Sequence, residues 1–355
     1  FFLSQEPGLG VIRQQPDLAN TLEHLAEGGR DEFYLGQTAS RLVRFCQGNG
    51  GLFTEADLAE HKSEILEPIR TTYRGCEVYE QPPVSQGMIL LEALNIVEQF
   101  DLAGLDPSSP EAIHLMVEAV KLALADRRAY AGDPRLVQFP LAQILSKEFA
   151  AARARSISPD QAMASAPVGQ VCDTTYLCTA DREGNLVSYI QSVFQGFGSR
   201  VVVEGTGILL NNRLAGFSLE PASPNCLAPG KRPIHTLNTY MLFRDGQPFL
   251  VGGTPGGDLQ VQTNLQVITA MLDFGLEVQE AIELPKWAHR QGLTLWVEPH
   301  MPASTRRGLR HKGHRLRLLE PWGQGCAVQL IRVDPRNGVY IGGSDRRADG
   351  CALAI

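Results

Sequence analysis

The first half of the chain places apolar side chains three and four positions apart, which is the spacing of one face of a helix. The pattern is strongest over residues 86–100 and 110–131 and predicts two helices that each bury that face. Pro110 stands at the start of the second, where proline is tolerated because the N–H it lacks would have no helical partner. Thr54 and Asp57 have the spacing of a capping box, with aspartate in place of glutamate or glutamine, and predict another helix start. Shorter helices are predicted over residues 16–28, 38–47 and 146–154.

From residue 174 the pattern changes to short runs of β-branched and aromatic residues, which are typical of strands. Residues 174–180 and 186–193 flank a polar turn that contains Gly184, and this arrangement predicts a β-hairpin. Residues 67–80 are also interpreted as extended. Further strands are predicted over residues 200–203, 238–244, 248–252, 293–297, 316–319, 327–333 and 338–342, and helices over 260–274 and 278–284. Helices followed by strands with embedded helices predict a layered α+β fold.

Residues 156–170 separate the helical part from the strands. Their side chains are polar or small and include proline, without helical or strand periodicity. This composition predicts a mobile linker. The linker ends shortly before Thr174.

Composition limits the classes of function. The 355 residues are 43% hydrophobic and 20% charged, as in a globular protein with one large core or two lobes. A net charge of −7 without a basic run argues against a nucleic-acid partner, and no apolar stretch reaches the length of a membrane span. Residues 252–257 are glycine-rich but lack the Lys-Ser/Thr of a phosphate loop, so no nucleotide cofactor is expected. The seven scattered cysteines contain no Cys-x-x-Cys pair, which favours reduced thiols and the cytoplasm.

Thr174 opens the predicted hairpin, and this position allows a chemical role. If the chain is cut just before Thr174, its hydroxyl becomes a nucleophile beside its own α-amine. An α-amine has a pKa near ~8 and can act as a base at neutral pH. Taken alone, a threonine at a strand start is structural, so the interpretation depends on the residues around it.

The sequence around Thr174 resembles the γ-glutamyltransferase family of N-terminal-nucleophile hydrolases. Five motifs of that family occur in the family's order. They are Thr174-Thr175-Tyr176, Asp181-Arg182-Glu183-Gly184-Asn185, the Gly-Ile-Leu-Leu-Asn-Asn run at 207–212, Pro229-Gly230-Lys231-Arg232-Pro233 and Gly253-Thr254-Pro255-Gly256-Gly257. Residues 31–34, 50–52 and 125–127 resemble the family's large subunit, so the resemblance covers nearly the whole chain.

The resemblance implies a four-layer αββα sandwich, the N-terminal-nucleophile hydrolase fold. It implies a large (α) subunit, residues 1–173, and a small (β) subunit, residues 174–355, which are cut from one precursor and form one intertwined domain. The large subunit should extend upstream of residue 1. We therefore expect the chain to be truncated, with an arginine for the substrate carboxylate and any targeting segment in the missing part. Export to the periplasm is the alternative to the cytoplasm.

The resemblance also implies the partners and the catalytic residues. The partners are a small amide substrate and the second subunit, with a homodimer or a heterotetramer of two processed precursors as the assembly. Thr174 would attack the carbonyl of Asp173, giving an N-to-O acyl shift and self-cleavage, and would then accept the acyl group in turnover. Ser192 matches the position at which the family keeps a hydroxyl beside the nucleophile. The alternative is that Ser192 is an ordinary strand serine. Gly256 and Gly257 match the oxyanion hole, where backbone N–H groups must approach the oxyanion without a Cβ in the way; a plain tight turn is the alternative.

The sequence departs from the family at the substrate positions. γ-Glutamyl enzymes hold the substrate α-ammonium with an asparagine, a glutamine and an aspartate, and these positions are Phe194, Arg213 and Gly216 here. The family's paired serines for the α-carboxylate correspond to His235 and Thr236. An ammonium facing an arginine would be repelled, whereas arginine favours a carboxylate. We therefore predict an acyl group with a carboxylate and no α-amine, with oxamate as the first candidate and glutaryl amides as the second.

Several alternatives stay open at this point. Arg213 could instead form a structural ion pair with Glu204 or Asp258. The protein could be a true γ-glutamyltransferase or glutathione hydrolase, or an inactive family member that acts as a binding protein. Residues 217–229 form a shorter segment than in enzymes with a lid loop, which favours an open cleft and hydrolysis over transfer.

Two late segments are interpreted as structural. His311 and His314 lie in a basic patch over residues 306–317, and a metal site would need further ligands, so we predict a solvated surface and no metal. Asp345-Arg346-Arg347 resembles a late family segment in which Arg346 replaces a proline.

Overall fold

The computed structural model describes residues 8–165 and 173–355, except for the side chain of Asp173. These residues form two compact units. The first contains the chain up to Leu66 together with Val193–Asn212, and the second contains Glu67–Ser192 together with Arg213–Ile355.

The described residues form ten α-helices and thirteen strands. The helices are α1 (Pro16–Tyr34), α2 (Gln37–Gly48), α3 (Glu55–Ala59), α4 (Gly87–Val97), α5 (Pro110–Tyr130), α6 (Leu141–Ile144), α7 (Lys147–Ala154), α8 (Gln260–Leu272), α9 (Val278–Glu283) and α10 (Ala303–His311). The strands are β1 (Ile69–Tyr73), β2 (Cys76–Glu80), β3 (Asp173–Ala180), β4 (Leu186–Phe194), β5 (Val202–Val203), β6 (Ile208–Leu209), β7 (Thr239–Arg244), β8 (Gln247–Gly253), β9 (Trp287–Gln291), β10 (Thr294–Val297), β11 (Arg315–Leu318), β12 (Gln329–Val333) and β13 (Tyr340–Ser344). Short 3-10 turns cover Arg213–Gly216 and Gly257–Leu259.

The first unit is built from α1, α2, α3 and the β5–β6 pair. The capping box predicted at α3 is confirmed, because Thr54 N donates to Asp57 Oδ2 at 2.8 Å and Asp57 N donates to Thr54 Oγ1 at 3.3 Å. Thr21 Oγ1 on α1 donates to the carbonyl of Thr206 at 2.9 Å, which holds the turn between β5 and β6 on the helix. The helix predicted over 16–28 continues to Tyr34, across a kink at Gly29.

The second unit is organised around a six-stranded antiparallel sheet in the order β1-β2-β7-β8-β12-β13. Helices α4, α5 and α8 pack on one another and against this sheet. Every residue of α4 is buried, so this helix is the centre of the core rather than an amphipathic surface helix. Leu242 on β7 and Leu250 on β8 face the helices and belong to the same apolar core.

The β3–β4 ribbon packs on the sheet at β8 and β12. Gly253 on β8 allows this close approach, because a Cβ there would lie 2.4 Å from the ring of Tyr176 on β3. Successive residues of a strand point to opposite faces, so Gly253 faces the ribbon while Leu250 faces the helices. Helices, sheet and ribbon are three consecutive layers of the predicted sandwich.

The predicted helices and strands are confirmed with small shifts at their ends, and residues 67–80 form the β1–β2 hairpin. The sequence pattern does not predict α6, α10, β6 or β9. The segment of α10 contains only two apolar residues, Ala303 and Leu309, so the spacing of apolar residues gives little signal for a helix. β9 lies in a separate three-stranded sheet with β10 and β11.

The prediction of a mobile linker over residues 156–170 is wrong for the part that the structure describes. Residues 158–165 form neither helix nor strand, but they are bonded to the body of the second unit. Ala162 N donates to the carbonyl of Lys312 at 2.7 Å, and Gly292 N donates to the carbonyl of Ser165 at 2.9 Å. Residues 166–170 lie outside the described residues.

No helix within residues 8–165 and 173–355 is long and apolar enough to cross a membrane. The six cysteines in these ranges are free thiols.

Candidate active site

Thr174 lies near the start of β3, on the face of the ribbon that packs on the sheet. Residues 174, 176 and 178 are less exposed than their neighbours in β3, so Thr174 shares the face of Tyr176. Its Oγ1 is buried and has no hydrogen-bond partner among the described residues. A buried hydroxyl left unpaired costs about 1–3 kcal/mol. Such an unpaired buried group calls for an explanation, and a catalytic role for Thr174 is one that fits.

Ser192 lies on β4, opposite the start of β3. The turn of the hairpin is closed by Asp181 N, which donates to the carbonyl of Asn185 at 3.1 Å. Counting back from this pair in an antiparallel register brings Thr174 opposite Ser192, where Cβ atoms are typically about 4.5–5.5 Å apart. The placement is compatible with the predicted role of Ser192 beside the nucleophile, which stays a prediction.

Gly256 and Gly257 follow β8 directly and lead into the turn before α8. Their φ angles are +128° and +61°, which favour glycine. A Cβ on Gly256 would also lie 2.3 Å from Cys326 Sγ. Thr254 holds the turn, since its Oγ1 accepts from Ala327 N at 2.9 Å and donates to the carbonyl of Pro255 at 2.9 Å. Backbone N–H groups at such a helix start favour negative charge, as an oxyanion hole requires.

A buried glutamine joins the glycine turn to the predicted substrate residues. Gln86 Nε2 donates to the carbonyls of Thr236 at 2.6 Å and Gly257 at 3.1 Å. Arg213 Nη1 donates to Thr236 Oγ1 at 3.4 Å. The candidate oxyanion turn and the candidate substrate arginine therefore belong to one hydrogen-bonded cluster.

Arg127 and Asp258 complete this cluster. Arg127 Nη1 lies 2.5 Å from Asp258 Oδ1 and 3.3 Å from Gln86 Oε1. Asp258, one of the two ion-pair partners considered for Arg213, is thus paired with Arg127. Neither Gln86 nor Asp258 stands out as a site residue in the sequence. Their contacts join segments that are distant in the sequence, from 41 to 171 positions apart, which local patterns do not reveal.

The electrostatics of the cluster are positive. Burial and, after it, the neighbouring guanidinium groups of Arg213 and Arg127 together lower the pKa of His235 to about 4. His235 is therefore neutral at pH 7, and its buried Nδ1 has no partner in the part of the chain that the structure describes. The neutral imidazole adds no charge of its own, so the net positive charge of the cluster is that of Arg213 and Arg127 less that of Asp258.

An open pocket of about 420 Å³ adjoins the cluster. Its wall includes Gly216, Asp258 and two arginines, Arg127 and Arg128. The rest of the wall is formed by Leu124, Ala131, Phe217, Ser218, Glu220, Ser223, Asn225 and Ile234. A Cβ on Gly216 would lie 3.1 Å from the carbonyl oxygen of Ile234, so a side chain at this position would be crowded.

The predicted site residues Thr174, Ser192, Phe194 and Asp173 are not among those that these hydrogen bonds join. Phe194 ends β4 with a φ of +80°, an uncommon conformation for a residue with a side chain, and belongs to the first unit. Asp173 contributes its backbone to β3. The roles predicted for both stay predictions.

The prediction of a solvated surface at the late histidines is wrong for His314. His311 is exposed at the end of α10, but His314 is only 3% exposed and its Nε2 lies 2.9 Å from His114 Nδ1. Burial lowers the pKa of His314 to about 3, so this histidine is neutral at pH 7. Donor atoms of His114, His314 and Glu118 lie within 4.8 Å of one another, a spacing that would suit a metal ion. Lys121 Nζ, 2.6 Å from Glu118 Oε1, already neutralises the carboxylate.

The threonine at the strand start, the glycine turn after β8 and the layered α+β fold agree with the N-terminal-nucleophile architecture that the sequence motifs predict. The comparisons with known proteins agree. The chain belongs to the gamma-glutamyltranspeptidase family, since the model of that family matches residues 4–355.

The relatives of this chain fall into two groups by name. It is 39% identical over 353 residues to a glutathione hydrolase-like YwrD proenzyme of Bacillus subtilis, covering 96% of this chain and 66% of the relative. It is 36% identical over 354 residues to a glutathione hydrolase proenzyme of Escherichia coli, covering 94% of this chain and 60% of the relative. It is 34% identical over 355 residues to an acylase ACY 1 proenzyme of a Pseudomonas species, covering 99% of this chain and 62% of the relative. The chain thus spans less than two thirds of the length of these relatives.

A solved structure confirms the fold. The cephalosporin acylase of Bacillus halodurans superposes with a TM-score of 0.91 at 39% identity, over 97% of this chain and 63% of that one. The predicted α+β fold of N-terminal-nucleophile hydrolases is therefore confirmed.

Proposed function

We propose that the chain is the motif-bearing part of a self-processed amidohydrolase whose nucleophile is Thr174. Its substrate is an amide whose acyl group carries a carboxylate and no α-amine. The proposal for the nucleophile is supported by the buried, unpaired Oγ1 of Thr174 and by the glycine turn that follows β8.

The proposed chemistry has two stages. In processing, Thr174 Oγ attacks the carbonyl carbon of Asp173, the Asp173–Thr174 C–N bond breaks, and the released nitrogen takes the hydroxyl proton. Water then hydrolyses the resulting ester and leaves a carboxylate on Asp173 and a free α-amine on Thr174. In turnover, the same hydroxyl attacks the substrate amide, the amine leaves with a proton, and water hydrolyses the acyl-threonine ester.

The observation that carries the substrate class is the positive field at the predicted acyl site. Arg213 bonds Thr236, and burial together with the charges of Arg213 and Arg127 keeps His235 neutral. A substrate ammonium would be repelled here, whereas a carboxylate would gain charge-assisted hydrogen bonds. γ-Glutamyl enzymes hold the substrate ammonium partly with an aspartate. Gly216 stands at that position here and has no carboxylate to bind an ammonium.

The size of the adjoining pocket bears on the length of the acyl group. Its volume of about 420 Å³ lies in the range of small-ligand sites. Oxamate has two carbons and would fill a small part of this space, whereas the longer glutaryl chain would fill more of it. We therefore place glutaryl amides ahead of oxamate as test substrates.

The test compares three amides on the full-length processed enzyme: glutaryl p-nitroanilide, γ-glutamyl p-nitroanilide and oxamate. We expect kcat/KM for the glutaryl amide to exceed that for the γ-glutamyl amide. Arg213→Gln should lower kcat/KM for the glutaryl amide about 10- to 100-fold, as expected for the loss of a hydrogen bond to a charged group. Arg307→Gln, at an exposed arginine of α10, is the matched control and should change neither value.

The outcome that would overturn the substrate class is faster turnover of the γ-glutamyl amide than of the glutaryl amide. That result would favour the second candidate, a glutathione hydrolase, which the names of two relatives support. Equal loss of both activities in Arg213→Gln would assign Arg213 a structural role instead.

A further inference from the structure

Residues 158–165, here named the strap, are the last described residues before the proposed cleavage site. The strap forms neither helix nor strand. It is nevertheless bonded along most of its length, through backbone atoms and through buried charged or titratable side chains. These bonds fall into two sets that contact different parts of the sequence.

The first set joins the strap to α5, upstream in the chain. His114 Nε2 lies 2.8 Å from the carbonyl oxygen of Ser158. Met163 N donates to Glu118 Oε2 at 2.9 Å, and Lys121 Nζ donates to the carbonyl of Met163 at 2.8 Å. The Glu118–Lys121 ion pair therefore holds both backbone polar groups of Met163.

The same three side chains of α5 are buried. His114 and Glu118 are 0% exposed, and Lys121 is 2% exposed. Charged groups are rarely fully buried unless they are paired, and each of these is paired. The strap supplies part of that pairing, so it is an integral part of the buried structure.

The second set joins the strap to residues downstream of Thr174. Ala162 N donates to the carbonyl of Lys312 at 2.7 Å, and Lys312 Nζ donates to the carbonyl of Pro159 at 2.8 Å. Ser165 and Gly292 exchange two backbone hydrogen bonds, at 2.9 and 3.3 Å. Ser165 Oγ lies 2.6 Å from Nε2 of the buried His289.

Cleavage before Thr174 would separate these two sets into different polypeptides. Helix α5 and the strap precede Thr174, whereas Gly292, His289 and Lys312 follow it. The strap is then the end of the large subunit, and its second set of bonds becomes a contact between subunits.

We propose that the strap is a subunit-joining contact that survives cleavage. The proposal rests on the proposed function for the cut itself. Lys312 and His289 are its positioning residues on the small subunit, and Glu118 and Lys121 are those on the large subunit. The end of the large subunit therefore stays bound to the small subunit at Gly292.

A metal site is the alternative explanation for these buried groups. The donor atoms of His114, Glu118 and His314 have a spacing that would allow one. Hydrogen bonds already occupy its donor atoms. Glu118 is bonded by Lys121 and Met163, and His114 is bonded by His314. Lys121 and Met163 occupy both carboxylate oxygens of Glu118, and Met163 belongs to the strap, so the hydrogen-bonded strap is the account we favour.

The test is hydrogen–deuterium exchange of the strap amides in the processed wild type and in uncut Thr174→Ala. The amides of Ala162, Met163 and Ser165 are the donors. We expect all three to exchange more slowly than unprotected peptide amides by roughly 100-fold, and equally in the cut and uncut proteins. Strap amides that exchange at unprotected rates in the cut protein overturn the proposal.

Lys312→Met removes the ammonium group that bonds Pro159 and should speed exchange of the strap amides several-fold. Lys231→Met is the matched control, since Lys231 Nζ also donates to a backbone carbonyl, that of Pro224 at 2.6 Å. It should leave strap exchange unchanged. Equal effects of the two variants contradict the assignment of Lys312, and loss of strap protection on adding a chelator would assign the cluster to a metal.

Self-cleavage tests the proposed function, and protection of the strap amides tests the strap proposal, so the two can fail separately. A wild-type chain that never cuts itself contradicts the proposed function alone. In that case the cut species is made by replacing residues 166–172 of Thr174→Ala with a thrombin recognition sequence and adding thrombin. The exchange comparison is then made on that protein, with the same expected and contradicting results.

Discussion

At the scale of the residue, Gly256 is the position whose chemistry is most restricted. The backbone angle of Gly256 disfavours any side chain. A Cβ added there would also lie 2.3 Å from the sulfur of Cys326. Gly256→Ala should therefore destabilise the fold by about 2–4 kcal/mol and abolish most activity, because the strain moves the glycine turn. Urea unfolding and kcat/KM on the preferred amide measure the two effects.

Gly230→Ala is the control for the backbone angle alone. Gly230 also has a positive φ, of +68°, but a Cβ added there would have no neighbouring atom within 4 Å. We expect a loss of about 1–2 kcal/mol. An equal cost at Gly256 and Gly230 would show that the contact with Cys326 is unimportant.

His235 gives a pH-dependent prediction. The unfolded histidine takes up a proton near pH 6.5, whereas the native one does so only near pH 4, so native His235 binds fewer protons between these values. Its contribution to stability is present above pH 6.5 and is lost as the pH falls toward 4, at about 1.4 kcal/mol per pH unit. His235→Asn removes this pH-dependent contribution to the free energy of unfolding.

The measurement is urea unfolding of wild type and His235→Asn from pH 4 to 8. The difference in free energy of unfolding should be constant above pH 7 and should shift in favour of the variant at lower pH. Parallel curves over the whole range would contradict the lowered pKa. Other histidines with lowered pKa values cancel in the difference.

The residues that carry the proposed chemistry are partly readable from the sequence. Thr174, Gly256 and Gly257 lie inside ordered motifs, and the structure gives them a buried hydroxyl and a left-handed turn. Gln86 carries no such signal, because its importance comes from bonds to Thr236 and Gly257 that only the tertiary fold creates.

At the scale of the element, Arg347 joins the end of β13 to the strands and helix beside it. Its guanidinium bonds Glu298 at 2.6 and 2.7 Å and Asp345 at 2.9 Å, and all three side chains are fully buried. Arg347→Ala leaves two buried carboxylates without their cation and should cost about 3–5 kcal/mol. Thermal or urea unfolding measures the loss.

Arg336→Ala is the matched control, because Arg336 pairs with Asp334 at 2.7 Å but is 84% exposed. Exposed pairs contribute about 0.2–1 kcal/mol, so this variant should be nearly neutral. Similar costs in the two variants would contradict the structural role given to Arg347.

Elements with strong periodicity are predictable from the sequence, and those stabilised by distant contacts are not. Residues 110–131 show helical spacing and form α5 almost to the residue. β9 shows no alternation because Trp287, Ala288 and His289 are all buried, on both faces of the strand. The strap shows a linker composition, yet ion pairs from α5 fix it in place.

At the scale of the whole molecule, the order of helices and strands predicts the α+β class, and the family motifs predict the N-terminal-nucleophile fold that the comparison confirms. The division of the described chain into two units is not predictable from the sequence. It separates residues 193–212 from the rest of the small-subunit sequence and groups them with the N-terminal helices. Such grouping depends on contacts like that of Gly207 with Leu18, which have no local signature.

The central claim is that the chain cuts itself before Thr174 to create its nucleophile. The most direct test is the intact mass of purified full-length wild type beside Thr174→Ala. We expect two fragments from the wild type, the second beginning at Thr174, and one uncut chain from the variant. A wild type that stays in one piece after prolonged incubation, or a variant that is cut at the same bond, would contradict the account.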